Sequence, residues 1–156
     1  KQLKAQSDAF LRGVLDIIPA QWIQMFNEPE LQVLISGSQA PIDIEDLRRH
    51  TKLAGGFLFA DKHVDRFFRC MNEFDGLQRA QLLAFVTGCS RPPSLGFEAM
   101  EPQFTLQKVS VSSDDERLPT ASTCFNVLKL PTYSSQRVMK EKLLISIQSG
   151  AGFELS

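Results

Sequence analysis

The chain has 156 residues, of which 43% are hydrophobic and 22% charged, enough for an ordinary globular domain with a sizeable core. Seventeen Lys and Arg stand against 18 Asp and Glu, a balance that leaves no net field to favour nucleic acid or an anionic membrane. Three cysteines without framework spacing point to a reducing compartment, cytoplasmic or nuclear, and no apolar run approaches a membrane span.

Residues 1–35 are helical in pattern. Leu3, Phe10, Leu11, Val14, Ile17 and Ile18 form one face at helical spacing, and Pro19 ends it. Trp22, Met25 and Phe26 make a second apolar turn, and Asn27 with Glu30 marks a helix start before Leu31 and Leu34. These short helices carry more apolar surface than they can bury among themselves. They read as the end of a missing domain, and Lys1, not an initiator Met, suggests the carboxy-terminal piece of a longer protein. Ser36-Gly37-Ser38-Gln39-Ala40-Pro41 is the best linker in the chain.

After it, Asp43 with Asp46 opens a helix over Leu47, and Gly55-Gly56 turns the chain into a short Phe57-Leu58-Phe59 run. Asp61 can cap an amphipathic helix through Val64, Phe67, Phe68, Met71 and Phe74, which Asp75-Gly76 breaks. A further helix carries Leu82, Leu83 and Val86 and stops at Gly88. Arg91 to Gly96 is irregular, 104–111 reads as a strand, and 112–116 as a polar loop. Residues 125–130, apolar on both faces, form another strand that belongs inside a sheet. Ser134 or Ser135 then caps a last helix with Met139, Leu143, Leu144 and Ile147 on one face and Gly150 as its stop. The expected fold class is α+β: helices on a small, mostly antiparallel sheet, preceded by a short all-helical segment.

The most informative stretch runs from Leu118 to Pro131 and places Cys124 between a Pro-closed loop and the strand 125–130. A thiol there is reachable by a large partner and has rigid backbone on one side, which suits accepting and passing on an acyl group. The competing reading is a small buried hydrophobe, since free cysteine is among the most buried residue types. A cysteine protease would need a base, and the two histidines, His50 and His63, both sit near expected helix ends. A phosphate-loop phosphatase would want an arginine where Leu130 stands, and no Cys–His pair has metal-ligand spacing. Thiol–thioester exchange needs the least help, because the incoming carbonyl is already activated and the leaving group is another thiol.

The chain resembles the carboxy-terminal end of HECT-type ubiquitin ligases over essentially its whole length. The resemblance is carried by Ile35-Ser36-Gly37, by Phe85-Val86-Thr87-Gly88 followed by Arg91, Pro93, Gly96 and Phe97, by Leu118 to Ser134, and by Gly152-Phe153. Cys89-Ser90-Arg91-Pro92-Pro93 and the ending Gly-Phe-Glu-Leu-Ser look most like the subgroup that extends ubiquitin chains at the proteasome.

The resemblance implies the last N-lobe helices in 1–35, a hinge at 36–41 with Ser36, Gly37 and Ser38 at its centre, and a C-lobe at 42–156. It implies that Cys124 takes ubiquitin from a conjugating enzyme as a thioester and passes it to a lysine of a substrate or of ubiquitin. Thr123 and Asn126 are then the supporting loop, and Phe153 is the tail residue associated with lysine transfer. No cofactor or metal is implied; ubiquitin, a conjugating enzyme docking on the missing N-lobe, protein substrates and the proteasome are the implied partners. Where many members carry a histidine two residues before the cysteine, this chain has Ser122, so a local imidazole base is absent. The extended ubiquitin tail could pair with an edge of strand 125–130, or, if that strand is internal, the loop alone would hold it. Two rival functions are a non-catalytic ubiquitin- or partner-binding module and a cysteine hydrolase acting on ubiquitin.

Overall fold

The structure, a computed structural model, describes residues 2–28, 30–32, 40–114 and 116–149. The chain divides into two compact units, residues 1–37 and 38–156. In the first, α1 (Gln2–Ile17) is followed by the short α2 (Ala20–Ile23), which begins after Pro19. Asn27 and Glu30 exchange hydrogen bonds at 2.9 Å each, side chain to backbone in both directions, the reciprocal cap expected from their spacing. Phe10, Leu11, Ile17, Trp22 and Met25 are all exposed. The apolar surface expected to exceed what these helices can bury among themselves does so.

The second unit contains α3 (Ile44–Arg49), β1 (Lys52–Ala54), α4 (Lys62–Glu73), α5 (Gly76–Thr87), β2 (Thr105–Val109), β3 (Thr120–Ser122), β4 (Val127–Pro131) and α6 (Gln136–Ser149). Each helix start has a local cause. Asp43 accepts hydrogen bonds from the N–H groups of Glu45 and Asp46, and Asp61 accepts one from His63. Asp75 and Gln78 form a full capping box, so the residue pair that breaks α4 also starts α5. Gly88 closes α5 at φ 77°, a left-handed position that glycine adopts without a Cβ clash. Ser135 Oγ accepts from the Val138 N–H at the start of α6.

The sheet runs in the order β1-β2-β4-β3. β1 and β2 pair in parallel, β2 and β4 pair in parallel, and only β3 and β4 are antiparallel. The expectation of a mostly antiparallel sheet is therefore wrong; the fold is α+β with a mixed sheet. The irregular segments with α4 and α5 return the chain before β2 pairs with β1, and β3, running antiparallel, returns it before β4 pairs with β2, a route strand periodicity does not reveal. β1 has no counterpart among the expected strands: the sheet takes Lys52–Ala54 before the glycines, whereas Leu58 and Phe59 are exposed.

β4 lies between β2 and β3, with Leu128 and Leu130 fully buried and Val127 and Lys129 half-buried. The internal reading holds and pairing of a partner to the edge of this strand is excluded. Leu106, Leu128 and Ala121 stand in register across β2, β4 and β3 and join the core that Phe67, Phe68, Leu82 and Met139 supply from the helices. Burying such side chains is worth about 1.5–3 kcal/mol each.

Behind this core, Asp46 Oδ2 accepts the Phe97 N–H at 2.8 Å, tying the loop after α5 to α3. A Cβ added to Gly96 would lie 3.0 Å from that same oxygen, and Gly96 has φ 85°, so glycine is required there twice over. No helix of the described residues is long and apolar enough to cross a membrane.

Candidate active site

Cys124 sits at the tip of a hairpin. β3 and β4 pair antiparallel from Thr120↔Lys129 to Ser122↔Val127, so only four residues, 123–126, join them. Thr123–Phe125 form one 3-10 turn, and Asn126 follows in the left-handed region at φ 52° and ψ 40°. Asparagine tolerates that conformation better than most residues, and it reverses the chain into β4. The turn also packs on α5.

The expected arrangement, rigid backbone on one side of the cysteine, is thus exceeded: strands flank it on both sides. β3 carries no strand signal of its own, because Thr120–Ser122 is three residues long, with small or polar side chains and no apolar run. Pro119, before it, is buried and Ala121 is in the core.

Cys124 and its neighbour Phe125 are exposed, Phe125 at 59%. Asn126 is the opposite, buried at 8% exposure. Its Nδ2 donates to the Pro102 carbonyl at 2.6 Å, and its carbonyl accepts the Thr105 N–H at 2.9 Å. Its own N–H donates to the Thr123 carbonyl at 3.3 Å, closing the turn. Of the expected site residues, the structure brings Thr123, Cys124 and Asn126 into this one turn. Ser36, Gly37, Ser38 and Phe153 lie outside the described residues.

Both histidines are committed elsewhere. His50 caps the end of α3, its Nδ1 3.0 Å from Asp46, and His63 Nδ1 lies 2.8 Å from Asp61. Asp61 also holds Lys108 Nζ at 3.1 Å. Burial alone would raise the Asp61 carboxyl, but hydrogen bonds from the His63 N–H, the His63 ring and Lys108 outweigh it and hold the group down at about 2. Lys108 stands toward the opposite end of β2 from Thr105, which pairs with Val127 beside the turn, so this charged cluster does not belong to the thiol. Among the described residues, no group of three or more His, Cys, Asp or Glu is placed to hold a metal ion.

The other cysteines differ in setting. Cys89, just past α5, is exposed. Cys70 is buried on α4, its thiol directed at the Gln136 carbonyl at 3.6 Å. Burial first, and the neighbouring Glu73 charge second, push that thiol up to about 11.

The turn thus presents an exposed thiol on a braced hairpin tip, with both imidazoles held by aspartates. The family described as HECT-domain (ubiquitin-transferase) matches residues 1–156. The E3 ubiquitin-protein ligase UPL6 of Arabidopsis thaliana is 48% identical over 158 residues, covering 99% of this chain and 15% of its own length. The human Ubiquitin-protein ligase E3B is 43% identical over 178 residues (99% and 17%), and the E3 ubiquitin-protein ligase HUL5 of Saccharomyces cerevisiae 43% over 148 residues (95% and 16%). The chain belongs to the HECT family, and it spans about a sixth of the length of these relatives.

Proposed function

We propose that this chain is the thioester-forming part of a ubiquitin-protein ligase, with Cys124 as its nucleophile. The observation that carries the reading is the exposed Cys124 at a hairpin tip braced by two paired strands, in a chain of this family. The Cys124 thiolate attacks the carbonyl joining ubiquitin's carboxy terminus to the conjugating enzyme. A new C–S bond forms, the old one breaks, and the conjugating enzyme leaves as its thiolate. A lysine amine of a substrate or of ubiquitin then attacks the new thioester. The C–N bond forms, the amine gives up a proton, and Cys124 departs as thiolate.

With Ser122 in place of a histidine and both imidazoles held by aspartates, the acceptor proton leaves through groups outside this turn. Since β4 is internal, the extended ubiquitin tail is held by the turn and by the outer edge of β3, Thr120–Ser122. Residues 36–41 act as the hinge that lets one thiol meet a donor and then an acceptor. Phe153 serves the second step, contacting the upstream lobe when lysine attacks. The partners are ubiquitin, a conjugating enzyme, protein substrates and, as in the subgroup the Cys89–Pro93 segment resembles, the proteasome, in the cytoplasm or nucleus.

The test is to incubate the full-length protein containing this chain with activating enzyme, conjugating enzyme and ubiquitin, and look for an adduct removed by reductant. A reductant-sensitive adduct lost in Cys124→Ala supports the ligase. Free ubiquitin released from chains would make the protein a hydrolase, and neither product would leave a binding module.

A further inference from the structure

We infer that Asn126 is a positioning residue that aims the Cys124 thiol through its side-chain bond to the Pro102 carbonyl; this rests on the reading of Cys124 as the acyl acceptor. Three observations on one residue support it. Asn126 is buried although polar, at 8% exposure, beside two side chains that are exposed. Its backbone occupies the left-handed region, the single non-glycine residue among those described with positive φ. Its carboxamide donates at 2.6 Å to Pro102, 24 positions earlier in the chain, in the segment that leads into β2.

Each part of the residue does a separate job. The left-handed backbone turns the chain from the 3-10 turn into β4. The carbonyl, accepting from Thr105, sets the start of the β2–β4 pairing at Thr105↔Val127. Neither task needs the bond to Pro102. The carboxamide adds a strut from the turn to the 102–105 segment, so that the turn is held from the side as well as by its two strands. The tip is also held by its packing on α5 and by the Thr105 N–H on the Asn126 carbonyl. The bond to Pro102 adds a side-chain restraint at the position two residues after the thiol. A small displacement of a nucleophile matters far more when it must meet a carbonyl presented by a folded protein than when it meets a diffusing small molecule.

The distinction can be measured in the full-length protein. Asn126→Gly keeps the left-handed backbone and removes the strut. Asn126→Asp keeps the shape and the backbone tolerance but presents a carboxylate oxygen, which cannot donate, to the Pro102 carbonyl. Both variants are followed by melting, by single-turnover thioester formation against increasing ubiquitin-loaded conjugating enzyme, and by iodoacetamide alkylation of the Cys124 peptide read by mass spectrometry. The expected result is a retained melting transition, an unchanged half-saturating concentration, a maximal transfer rate reduced about 10- to 100-fold, and alkylation within about twofold of the parent.

Wild-type transfer rates in both variants would overturn the assignment, and so would a loss of alkylation in parallel with transfer. If both variants unfold, Asn126 is a determinant of the fold and the positioning role is wrong. If the parent protein alkylates at Cys124 yet forms no adduct, it is the ligase reading that fails instead.

Discussion

Cys70 and Cys124 are the same residue type in one unit, and the structure puts them in opposite settings. Cys70 lies on the inner face of α4 against α6, among Phe67, Met71 and Met139 in the core. Its proton is held up to about 11 by burial and by Glu73. Cys124 stands in solvent at a turn whose backbone is fixed on both sides. The contrast is one of access: the backbone is braced at both cysteines, and only the hairpin tip leaves its thiol exposed. α4 offers rigidity without access; the β3–β4 hairpin offers both.

The largest expected effect tests the Cys124 side of that contrast. Cys124→Ala should abolish the ubiquitin adduct while leaving the melting temperature nearly unchanged, because an exposed side chain is removed. Cys124→Ser should allow a slower, reductant-resistant ester, since a hydroxyl is a far weaker nucleophile at neutral pH. An undiminished adduct in the alanine variant would move the chemistry to Cys70 or Cys89.

Next in size are two changes outside the turn, one aimed at the second transfer step and one at both. Phe153→Ala should leave thioester formation intact and cut isopeptide formation about tenfold or more, measured by following preformed thioester in a single turnover. Failure already at thioester formation would make Phe153 a structural plug. Gly37→Pro should slow both transfers without unfolding residues 42–156, and unchanged kinetics would remove the hinge from the account.

The Cys70 side predicts a dependence of stability on pH. In the unfolded chain this thiol loses its proton near 9, whereas in the folded protein it keeps it to about 11. Between those values the unfolded state binds fewer protons, so stability is full below about pH 9 and falls as pH rises toward 11, by at most about 2–3 kcal/mol. Tyr133, whose buried hydroxyl is also pushed up and donates to the Arg117 carbonyl, acts in the same direction at higher pH. Denaturant titrations at pH 8 to 10, below the range in which Tyr133 contributes, should show the slope, and Cys70→Ala should flatten it. A parent protein with no alkaline loss would contradict the buried thiol.

Asp61 works at the other end of the scale. Its carboxyl is held from the usual 3.8 down to about 2, so its contribution is present above about pH 4 and lost as pH falls toward 2, by at most about 2 kcal/mol. Asp61→Asn should remove that acid dependence. The smallest effect expected is in native-state alkylation: iodoacetamide should modify Cys89 and Cys124 and spare Cys70.

Local signals were legible wherever a residue acts on its own neighbours. Asp43, Asp61 and Asp75 start helices because a short carboxylate reaches N–H groups two or three residues on, and Gly88 ends one because it accepts positive φ. The strand after Cys124 was legible from its apolar run, and the cysteine itself from its place before that run. What escaped were β1 and β3, three residues each, whose pairing comes from β2 and β4 and not from their own composition. The parallel pairing of β4 with β2 escaped for the same reason.

The sequence by itself determined the helices, their caps, the α+β class and the place of Cys124 before an apolar strand, because all of these depend on patterns within a few residues. Only the tertiary structure decided that Cys124 projects from a hairpin tip, that β4 has no open edge, and that Asn126 reaches Pro102 and Asp46 reaches Phe97. Those contacts join segments 24 and 51 residues apart. Their partners are chosen by how the sheet and helices pack, and no local pattern of side chains encodes that choice.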